Sequence, residues 1–261
     1  MEINIEKEVI ELVKEVGEFI LKERETFSYE AVELKSFNNL VSYVDKQAEL
    51  KLIEGLGKLA PEAGFLVEEG TVPQSESEWQ WIIDPLDGTT NFVHNIPAYS
   101  ISVALAFEEE VYLGVVYEIT RKECFYAIKD KGAFLNGKPI QVSASKLLEE
   151  SLIATGFPYH DFGKTGTYFE ILEEMMRKTH GVRRIGSAAV DLAYTACGRF
   201  EAFFEYNLNP WDVAAGTLLV KEAGGTVSDF SGGNSFLFGR EIIAAGNVYP
   251  LVLEIIKNKW I

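Results

Sequence analysis

The sequence predicts a mixed fold, α+β in its first half and α/β in its second. Two observations predict this division. Up to about residue 145, helical segments are followed by strands that turn back on one another in hairpins. From about residue 150, short strands alternate with helices, which is typical of α/β units. We therefore expect two halves, 1–145 and 146–261, that meet near residues 140–150.

The first half is predicted to begin with two helices and continue as antiparallel strands. Apolar residues recur at helical spacing over 5–27, which indicates a long first helix, and a second helix is expected over 43–59. Apolar runs at 64–69 and 79–84 predict strands, joined by a polar loop. Residues 100–120 predict a hairpin that turns near Glu108 to Glu110. Residues 122–140 predict another, with turns at Lys131-Gly132 and Asn136-Gly137.

The second half is predicted to alternate between strands and helices. We expect strands at 151–156, 183–186 and 201–206, each followed by a helix, at 168–176, 188–198 and 211–225. Two strands, 226–230 and 241–247, and a last helix at 249–259 complete the pattern. This half has the order expected of stacked β and α layers.

Composition excludes several classes of protein. The chain has 24 Lys and Arg against 40 Asp and Glu, a formal charge of −16, which opposes direct binding to nucleic acid or anionic lipid. No segment approaches the roughly 20 apolar residues that a membrane span needs, and the acidic, amphipathic N-terminus is unlike a secretory signal. Cys124 and Cys197 give neither a disulfide framework nor a thiolate zinc site. We expect a cytoplasmic protein without a membrane partner.

Two carboxylates follow a buried strand in WIIDPLDGTTNF, residues 81–92. Asp84 and Asp87 flank a turn that Pro85 favours, since proline has no amide to donate to a sheet. Asp is also common as a cap of turns and helices, so this pair alone fits a structural role equally well. Further acids elsewhere in the sequence favour a functional site over a structural role. Glu68 and Glu69 end the strand at 64–69, another apolar run.

A fifth acid belongs to a predicted helix start. Asp212 lies in the first turn of the helix that Asn209 can cap and in which Pro210 takes the first position. Converging carboxylates repel one another unless cations lie between them. Oxygen ligands without thiolate or imidazole suit Mg²⁺ or Mn²⁺ rather than zinc. The acids therefore predict a divalent metal site of the kind that acts on phosphoryl groups.

Gly88, Thr89 and Thr90, which follow the acids, predict a phosphate site. A glycine lets backbone amides approach a phosphate closely, and the two threonines supply hydroxyls at an expected helix N-terminus. Metal and phosphate would then be held by one short segment.

These motifs, in their order and spacing, resemble the inositol monophosphatase family over essentially the whole chain. The resemblance rests on DPLDGTTNF after Trp-Ile-Ile, the upstream Glu-Glu pair and the downstream WDVAAG and EAGG, and GSAAVDLAYTACGRFEAFFE is most similar to the bacterial branch. It implies a layered αβαβα sandwich of the metal-dependent sugar-phosphatase type, usually a homodimer. It also implies an Mg²⁺-dependent phosphatase of myo-inositol monophosphates that acts through a metal-activated water, with Mn²⁺ as a possible substitute.

The resemblance also assigns roles to individual residues. The implied metal ligands are Glu68, Asp84, the carbonyl of Leu86, Asp87 and Asp212. Thr89 with Glu68 would activate the attacking water, and Lys35 and Asp45 match a mobile loop and the helix start after it. For Lys35, a solvated loop lysine is the alternative. Ser42 stands where many relatives have threonine. Substrate contacts are implied for Asp87, Gly88, Thr89, Thr90, Gly186, Ser187, Ala188, Glu205 and Asp212; at Ser187 some relatives have threonine.

Two alternatives to the inositol phosphatase remain open. The same metal site could act on fructose 1,6-bisphosphate or on a 3′-phosphoadenosine nucleotide, and a second phosphate would need a cationic pocket for which Arg183 and Arg184 are the candidates. Bacterial relatives can also bind transcription machinery, so the chain could serve partly as a protein partner. Its acidity makes contact with a basic protein more plausible than direct contact with RNA.

Overall fold

Alternating layers of helix and sheet make up the part of the chain that the structure describes. The computed structural model describes residues 5–36, 39–74, 77–158 and 162–260. Within these ranges, one helix pair covers the outer face of a larger sheet, a second pair lies between the two sheets, and a third covers the outer face of a smaller sheet. This confirms the predicted αβαβα sandwich.

Helices α1 (Glu6–Thr26) and α2 (Tyr43–Leu59) form the first layer. They pack on each other and on the larger sheet, and residues such as Val13 and Leu52 are fully buried between the layers. Strands β1 (Val32–Ser36) and β2 (Asn39–Ser42) form an antiparallel hairpin between the two helices. This hairpin leads directly into the first turn of α2.

The larger sheet has seven strands within the described ranges, arranged in chain order. Its first two strands run parallel and every later neighbour is antiparallel. A short helix, α3 (Thr89–Val93), follows its second strand. The strands are β3 (Gly64–Val67), β4 (Trp79–Asp87), β5 (Ser100–Phe107), β6 (Glu110–Glu118), β7 (Glu123–Ile128), β8 (Gly132–Leu135) and β9 (Lys138–Pro139).

Helices α5 (Ala188–Ala196) and α6 (Pro210–Glu222) form the central layer. Both are apolar on nearly every side, as expected of helices that face a sheet on each side. Gly114 of β6 lets α6 come close, because a Cβ there would lie 2.7 Å from the carbonyl oxygen of Ala215. α6 therefore packs closely against the middle of the larger sheet.

The smaller sheet and its outer helices complete the fold. Its order is β11-β10-β12-β14-β13, with the first three strands parallel and the other pairs antiparallel. α4 and α7 cover its outer face, with Tyr168 and Ile256 fully buried beneath them. The elements are β10 (Leu152–Thr155), α4 (Thr165–Lys178), β11 (Gly181–Arg183), β12 (Ala202–Tyr206), β13 (Thr226–Ser228), β14 (Glu241–Ala245) and α7 (Tyr249–Lys257).

Most predicted elements are present, with two differences. The 43–59 helix coincides with α2, and the Asn136-Gly137 turn has φ values of 48° and 80°, as a tight hairpin turn requires. The strand predicted at 183–186 instead occupies Gly181–Arg183, because the chain leaves the sheet before Gly186, where φ is 96°. The β1–β2 hairpin was not predicted from the sequence. No helix in the described part of the chain is long and apolar enough to cross a bilayer.

Candidate functional site

A β-bulge brings Asp84 and Asp87 to the same side of β4. Asp84 pairs with Ser102 of β5 and Asp87 with Ser100, so Pro85 and Leu86 together oppose one residue. Side chains three apart on a regular strand point to opposite faces, and the extra residue removes that difference. Both aspartates consequently line one cleft. Asp84 is buried, and its Oδ1 accepts a hydrogen bond from the Leu86 amide at 2.9 Å.

Glu68 reaches the same cleft because β3 runs parallel to β4. Val67 pairs with Ile83, and the Glu68 amide donates to the Ile83 carbonyl at 3.2 Å, which places Glu68 beside the end of β4. Its carboxylate lies close enough to Asp84 to raise the pKa of that group by repulsion.

The two helices of the central layer bring their first turns to the cleft. Asp87 Oδ2 accepts hydrogen bonds from the Ser187 hydroxyl at 2.6 Å and the Ala189 amide at 2.7 Å, at the start of α5. Asp212 lies in the first turn of α6, where its Oδ2 accepts a bond from the Asn209 amide at 2.7 Å. The predicted cap by Asn209 and first-turn position of Asp212 are both present.

Three of the clustered carboxyl groups, those of Asp84, Asp87 and Asp212, have raised pKa values. Desolvation is the main cause for each of them. For Asp84, repulsion by Glu68, Asp87 and Asp212 adds to it and holds the pKa well above its ordinary value. Desolvation raises the pKa of Asp87 to about 6, although bonds from Ser187 and Ala189 work against the shift. Desolvation and repulsion by Asp87 raise the pKa of Asp212 to about 7. Without cations, this cluster is an unfavourable concentration of negative charge.

The donor set fits a hard divalent cation, although it is not arranged around one. Among residues 5–36, 39–74, 77–158 and 162–260, no group of three or more His, Cys, Asp or Glu side chains is placed to hold a metal ion. The donors available are carboxylate and carbonyl oxygens, which Mg²⁺ prefers, and the repulsion that raises the pKa of Asp84 is what a cation relieves. We therefore expect small side-chain shifts when a cation binds.

Thr89 connects the cleft to α2. Its hydroxyl lies 3.0 Å from Asp45 Oδ1 and 3.0 Å from the carbonyl oxygen of Leu86. Asp45 is buried, and its Oδ2 accepts bonds from the amide and hydroxyl of Ser42 at 2.9 and 2.6 Å. Burial raises the pKa of Asp45, and the bonds from Ser42 and Thr89 oppose that shift. Asp45 therefore contacts Thr89, which lines the cleft, whereas the side chain of Lys35 lies outside the described part of the structure.

Gly88 forms the turn between β4 and α3. Its φ of 94° is in the left-handed region, and an added Cβ would lie 3.2 Å from the carbonyl oxygens of Ala98 and Gly186. Glycine is therefore required here both by conformation and by space. Thr89 and Thr90, the first residues of α3 after this turn, line the cleft.

Glu205 also lines the cleft. It lies on the central strand β12, is 7% exposed, and desolvation holds its pKa well above the ordinary value while Arg184 opposes that shift. A Cβ at Gly156 would collide with the Glu205 carboxylate, so the glycine makes room for it. The cleft is lined by Gly186, Ser187 and Ala188, as the sequence predicts, and also by Arg184.

Sequence reasoning missed two charged residues of the cleft. Asp191, in the first turn of α5, is 1% exposed, and desolvation and repulsion by Glu205 hold its pKa well above normal. Arg240 lies in a loop, where its Nη2 donates to Asn207 Oδ1 at 2.6 Å. The only available signal was the apolar face around Asp191, on which an acid is unexpected.

Comparison with known proteins gives consistent matches over the whole chain. A model of the inositol monophosphatase family matches residues 3–260. The putative Nus factor SuhB of Neisseria meningitidis serogroup B is 41% identical over 245 residues, 93% of this chain and 94% of that protein. The crystal structure of the extragenic suppressor protein suhB from Bartonella henselae has a TM-score of 0.90 and 39% identity, covering 98% of both chains. An IMPase from Thermotoga maritima has a TM-score of 0.86 and 36% identity, covering 95% of both chains.

Proposed function

The chain belongs to the inositol monophosphatase family, and from this premise we propose that it is an Mg²⁺-dependent phosphomonoesterase that converts myo-inositol monophosphates to inositol and phosphate. Family membership supports a metal-dependent phosphatase. The choice of Mg²⁺ and of the inositol ester rests on the cleft itself. One observation carries the proposal: the β4 bulge, the end of β3 and the start of α6 gather four carboxylates where an anionic substrate would have to bind.

The residues that would hold the metal are Glu68, Asp84, the Leu86 carbonyl, Asp87 and Asp212. When bound, Mg²⁺ supplies positive charge that lowers the pKa of water and offsets the negative charge of the phosphoryl oxygens. Mn²⁺ would serve the same set of oxygen ligands. The phosphate would lie against the amides of Thr89 and Thr90, the first residues of α3 after the Gly88 turn.

Thr89 would position the attacking water. Its hydroxyl can donate to Asp45 while its oxygen accepts a hydrogen bond from water, and Glu68 on the neighbouring strand offers a second acceptor. The water proton would pass toward these groups as the water oxygen attacks phosphorus. The bond from phosphorus to the ester oxygen then breaks, and the inositol leaves as an alcohol after taking up a proton.

The polyol would occupy the end of the cleft formed by Glu205 and by Gly186, Ser187 and Ala188. Glu205 is buried and offers oxygen acceptors to the hydroxyl groups of the leaving alcohol. Arg184 opposes the rise in the pKa of Glu205, although burial still holds that pKa well above its ordinary value. This supports a substrate with several hydroxyl groups.

A bisphosphate substrate is the second enzymatic candidate. Arg184 and Arg240 both line the cleft, and together they could hold a second phosphate. Arg183 does not line the cleft, and its Nη1 donates to the Val182 carbonyl at 3.0 Å, so it does not fit this role. Fructose 1,6-bisphosphate and 3′-phosphoadenosine nucleotides remain substrates to be tested.

A role as a protein partner in transcription is the candidate from another class. It is favoured by the name Nus factor given to close relatives. The charge of −16 favours a basic protein surface over nucleic acid as the partner. Proteins that co-purify with the tagged chain, and that are lost at high salt, would support this role.

We also propose a homodimer, supported by an exposed apolar surface beside the cleft. Phe157 and Phe169 pack ring to ring, with centroids 6.5 Å apart, and are 37% and 53% exposed. Phe162 and Met176 are 56% and 55% exposed, and Met176 is two turns after Phe169 on α4. A patch of this kind commonly marks a protein interface. Light scattering on the purified chain at micromolar concentration would give the oligomeric state.

A substrate panel tests the enzymatic proposal. Phosphate release would be measured with Mg²⁺ from myo-inositol 1-phosphate, fructose 1,6-bisphosphate, 3′-phosphoadenosine 5′-phosphate and an aryl phosphate at equal concentrations. We expect the highest kcat/KM for the inositol ester. A higher value for either bisphosphate would replace the proposed substrate, and no release from any of them would refute the phosphatase.

A further inference from the structure

Glu49 is a fully buried acid on α2 that takes no direct part in the cleft. It is 0% exposed and does not line the cleft, and it follows Asp45 by one helical turn. Residues four apart lie on the same face of a helix, so the two buried carboxylates share one face of α2. A buried carboxylate is costly unless hydrogen-bond donors compensate it. The partners of Glu49 therefore indicate its role.

Those partners all belong to the turn that follows β3. Glu49 Oε2 accepts from the Glu69 amide at 2.8 Å. Its Oε1 accepts from the amide of Thr71 at 2.9 Å and from the Thr71 hydroxyl at 2.7 Å. Both oxygens are thus used to hold main-chain groups of residues 69 and 71.

The held turn begins with Glu68, one of the acids of the cleft. At its start, the Glu68 amide donates a hydrogen bond to the Ile83 carbonyl of β4. Gly70 within the turn has a left-handed backbone conformation, with a φ of 63°. Glu68 therefore lies between an anchor on the sheet and an anchor on α2. Its carboxylate faces Asp84, whose pKa it raises. A shift of the turn would move Glu68 relative to Asp84.

Asp45 holds the other cleft segment in the same way. Its Oδ1 lies 3.0 Å from the Thr89 hydroxyl, just after β4. Two carboxylates one turn apart on α2 thus fix the segments that follow β3 and β4, which carry Glu68 and Thr89. Helix α2 itself supplies no lining residue to the cleft.

We propose that Glu49 is a positioning residue: it holds the turn 68–71 so that the Glu68 carboxylate stays against Asp84 and is available to a divalent cation. The link to catalysis rests on the proposed function. The holding of the turn and the effect on cation binding can be measured without turnover. Removing partners that orient metal-binding side chains typically costs 10- to 100-fold in metal affinity.

The test compares Glu49→Gln with Glu54→Gln in the full chain. The first substitution keeps the shape of the Glu49 side chain but replaces one acceptor oxygen with an NH₂ group that faces an amide donor. Glu54 is on the same helix, is exposed and pairs with Lys58, so its variant is a matched control for lost charge. Amide hydrogen exchange would be followed by mass spectrometry over residues 66–74, and Mg²⁺ binding by calorimetry.

We expect Glu49→Gln to speed exchange over 66–74 at least tenfold with no change in α1 or β6, and to weaken Mg²⁺ binding about tenfold. At saturating Mg²⁺, KM for the phosphate ester should stay within twofold of the wild-type value. Glu54→Gln should match the wild type throughout. Thr71→Val removes only the hydroxyl bond to Glu49, so it should speed exchange and weaken Mg²⁺ binding by smaller factors. If Glu49→Gln fails to fold, Thr71→Val serves as the test of the proposal.

Faster exchange throughout the chain, or unchanged Mg²⁺ affinity in a folded Glu49→Gln variant, would overturn the proposal, because Glu49 would then be an ordinary structural residue. A wild-type protein that binds Mg²⁺ yet hydrolyses no phosphomonoester would instead refute the proposed function. Exchange and calorimetry would still decide the role of Glu49 in that case.

Discussion

Replacing Ser187 with alanine should weaken the fold and the metal site together. The Ser187 hydroxyl donates to Asp87 Oδ2 at 2.6 Å, so its single hydrogen is used. Its oxygen accepts the Val190 amide at 3.3 Å, which caps α5, and lies 3.2 Å from the Ser100 hydroxyl. Because the hydrogen of Ser187 is taken, Ser100 must be the donor of that last bond.

The expected loss follows from these three bonds. Removing a serine cap costs about 1 kcal/mol. Removing a bond to a charged group costs roughly 1.5 to 3 kcal/mol. The bonds share one oxygen and are not additive, so we expect a total loss of about 3 kcal/mol. In a chain of this size, that lowers Tm by about 6 to 12 °C. Asp87 also loses a hydrogen bond that lowers its pKa, so its pKa should rise further in the variant. Protons then compete more strongly for the carboxylate, and the affinity for Mg²⁺ should fall.

The assay is thermal and urea unfolding of Ser187→Ala at pH 7.5, with and without Mg²⁺, followed by calorimetric titration of Mg²⁺. Ser187→Thr keeps the hydroxyl and is the control, expected within about 1 kcal/mol of the wild type. Ser100→Ala removes only the hydrogen bond from Ser100 to the Ser187 oxygen, so it should lose less stability than Ser187→Ala. A Ser187→Ala variant with unchanged Tm and unchanged Mg²⁺ affinity would refute the role assigned to this hydroxyl.

Three further predictions concern Thr89, Glu205 and the acids of the metal cluster. Thr89→Ala should lower kcat by roughly 10²- to 10⁴-fold while calorimetric Mg²⁺ affinity stays nearly unchanged; a raised KM with normal kcat would make Thr89 a binding residue. Glu205→Gln should raise KM for inositol phosphate by roughly ten- to a hundredfold but leave aryl phosphate hydrolysis nearly unchanged, and equal effects on both substrates would contradict its role in leaving-group recognition. Because desolvation raises the folded-state pKa of Asp87 to about 6 and of Asp212 to about 7, the metal-free folded protein binds more protons than the unfolded chain. Its free energy of unfolding should therefore fall as pH rises from about 4 to about 7. Urea unfolding at pH 5 and 7.5 would measure this loss of stability, and Mg²⁺ should make it smaller. If the free energies of unfolding at both pH values do not change with Mg²⁺, these acids do not bind the cation.

The sequence predicts half of the acid cluster because local rules govern it. Glu68 and Asp84 both end apolar strands, and parallel neighbours place such ends at one edge of a sheet. The bulge that aligns Asp87 could be suspected from Pro85, which interrupts the pairing of β4. In these cases a local feature, the end of a strand or a proline within it, both marks the residue in the sequence and sets its position in the structure.

The other half depends on packing between distant segments. Nothing near Asp212 indicates that α6 lies between two sheets, and nothing near Glu205 indicates that Gly156 leaves room for it. The helix start at Asn209 and Pro210 indicated Asp212 as one of the acids but not its place beside Asp87, and only the resemblance to a family supplied Glu205. Glu49 looks like one more charged residue of an amphipathic helix, and only the amides of the turn 69–71 make its burial stable. Arg240 likewise reaches the cleft from a loop without a local signal.

Removal and return of the metal test the central claim most directly. The wild-type chain would be treated with a chelator, dialysed, and assayed for phosphate release from myo-inositol 1-phosphate as Mg²⁺ is added back, with Tm followed in the same titration. We predict no turnover without metal, restoration by Mg²⁺, and a gain in stability of about 2.7 kcal/mol at 100 times Kd. Full turnover after chelation and dialysis, with a Tm that does not respond to Mg²⁺, would contradict the claim that these acids form a metal-dependent phosphatase site.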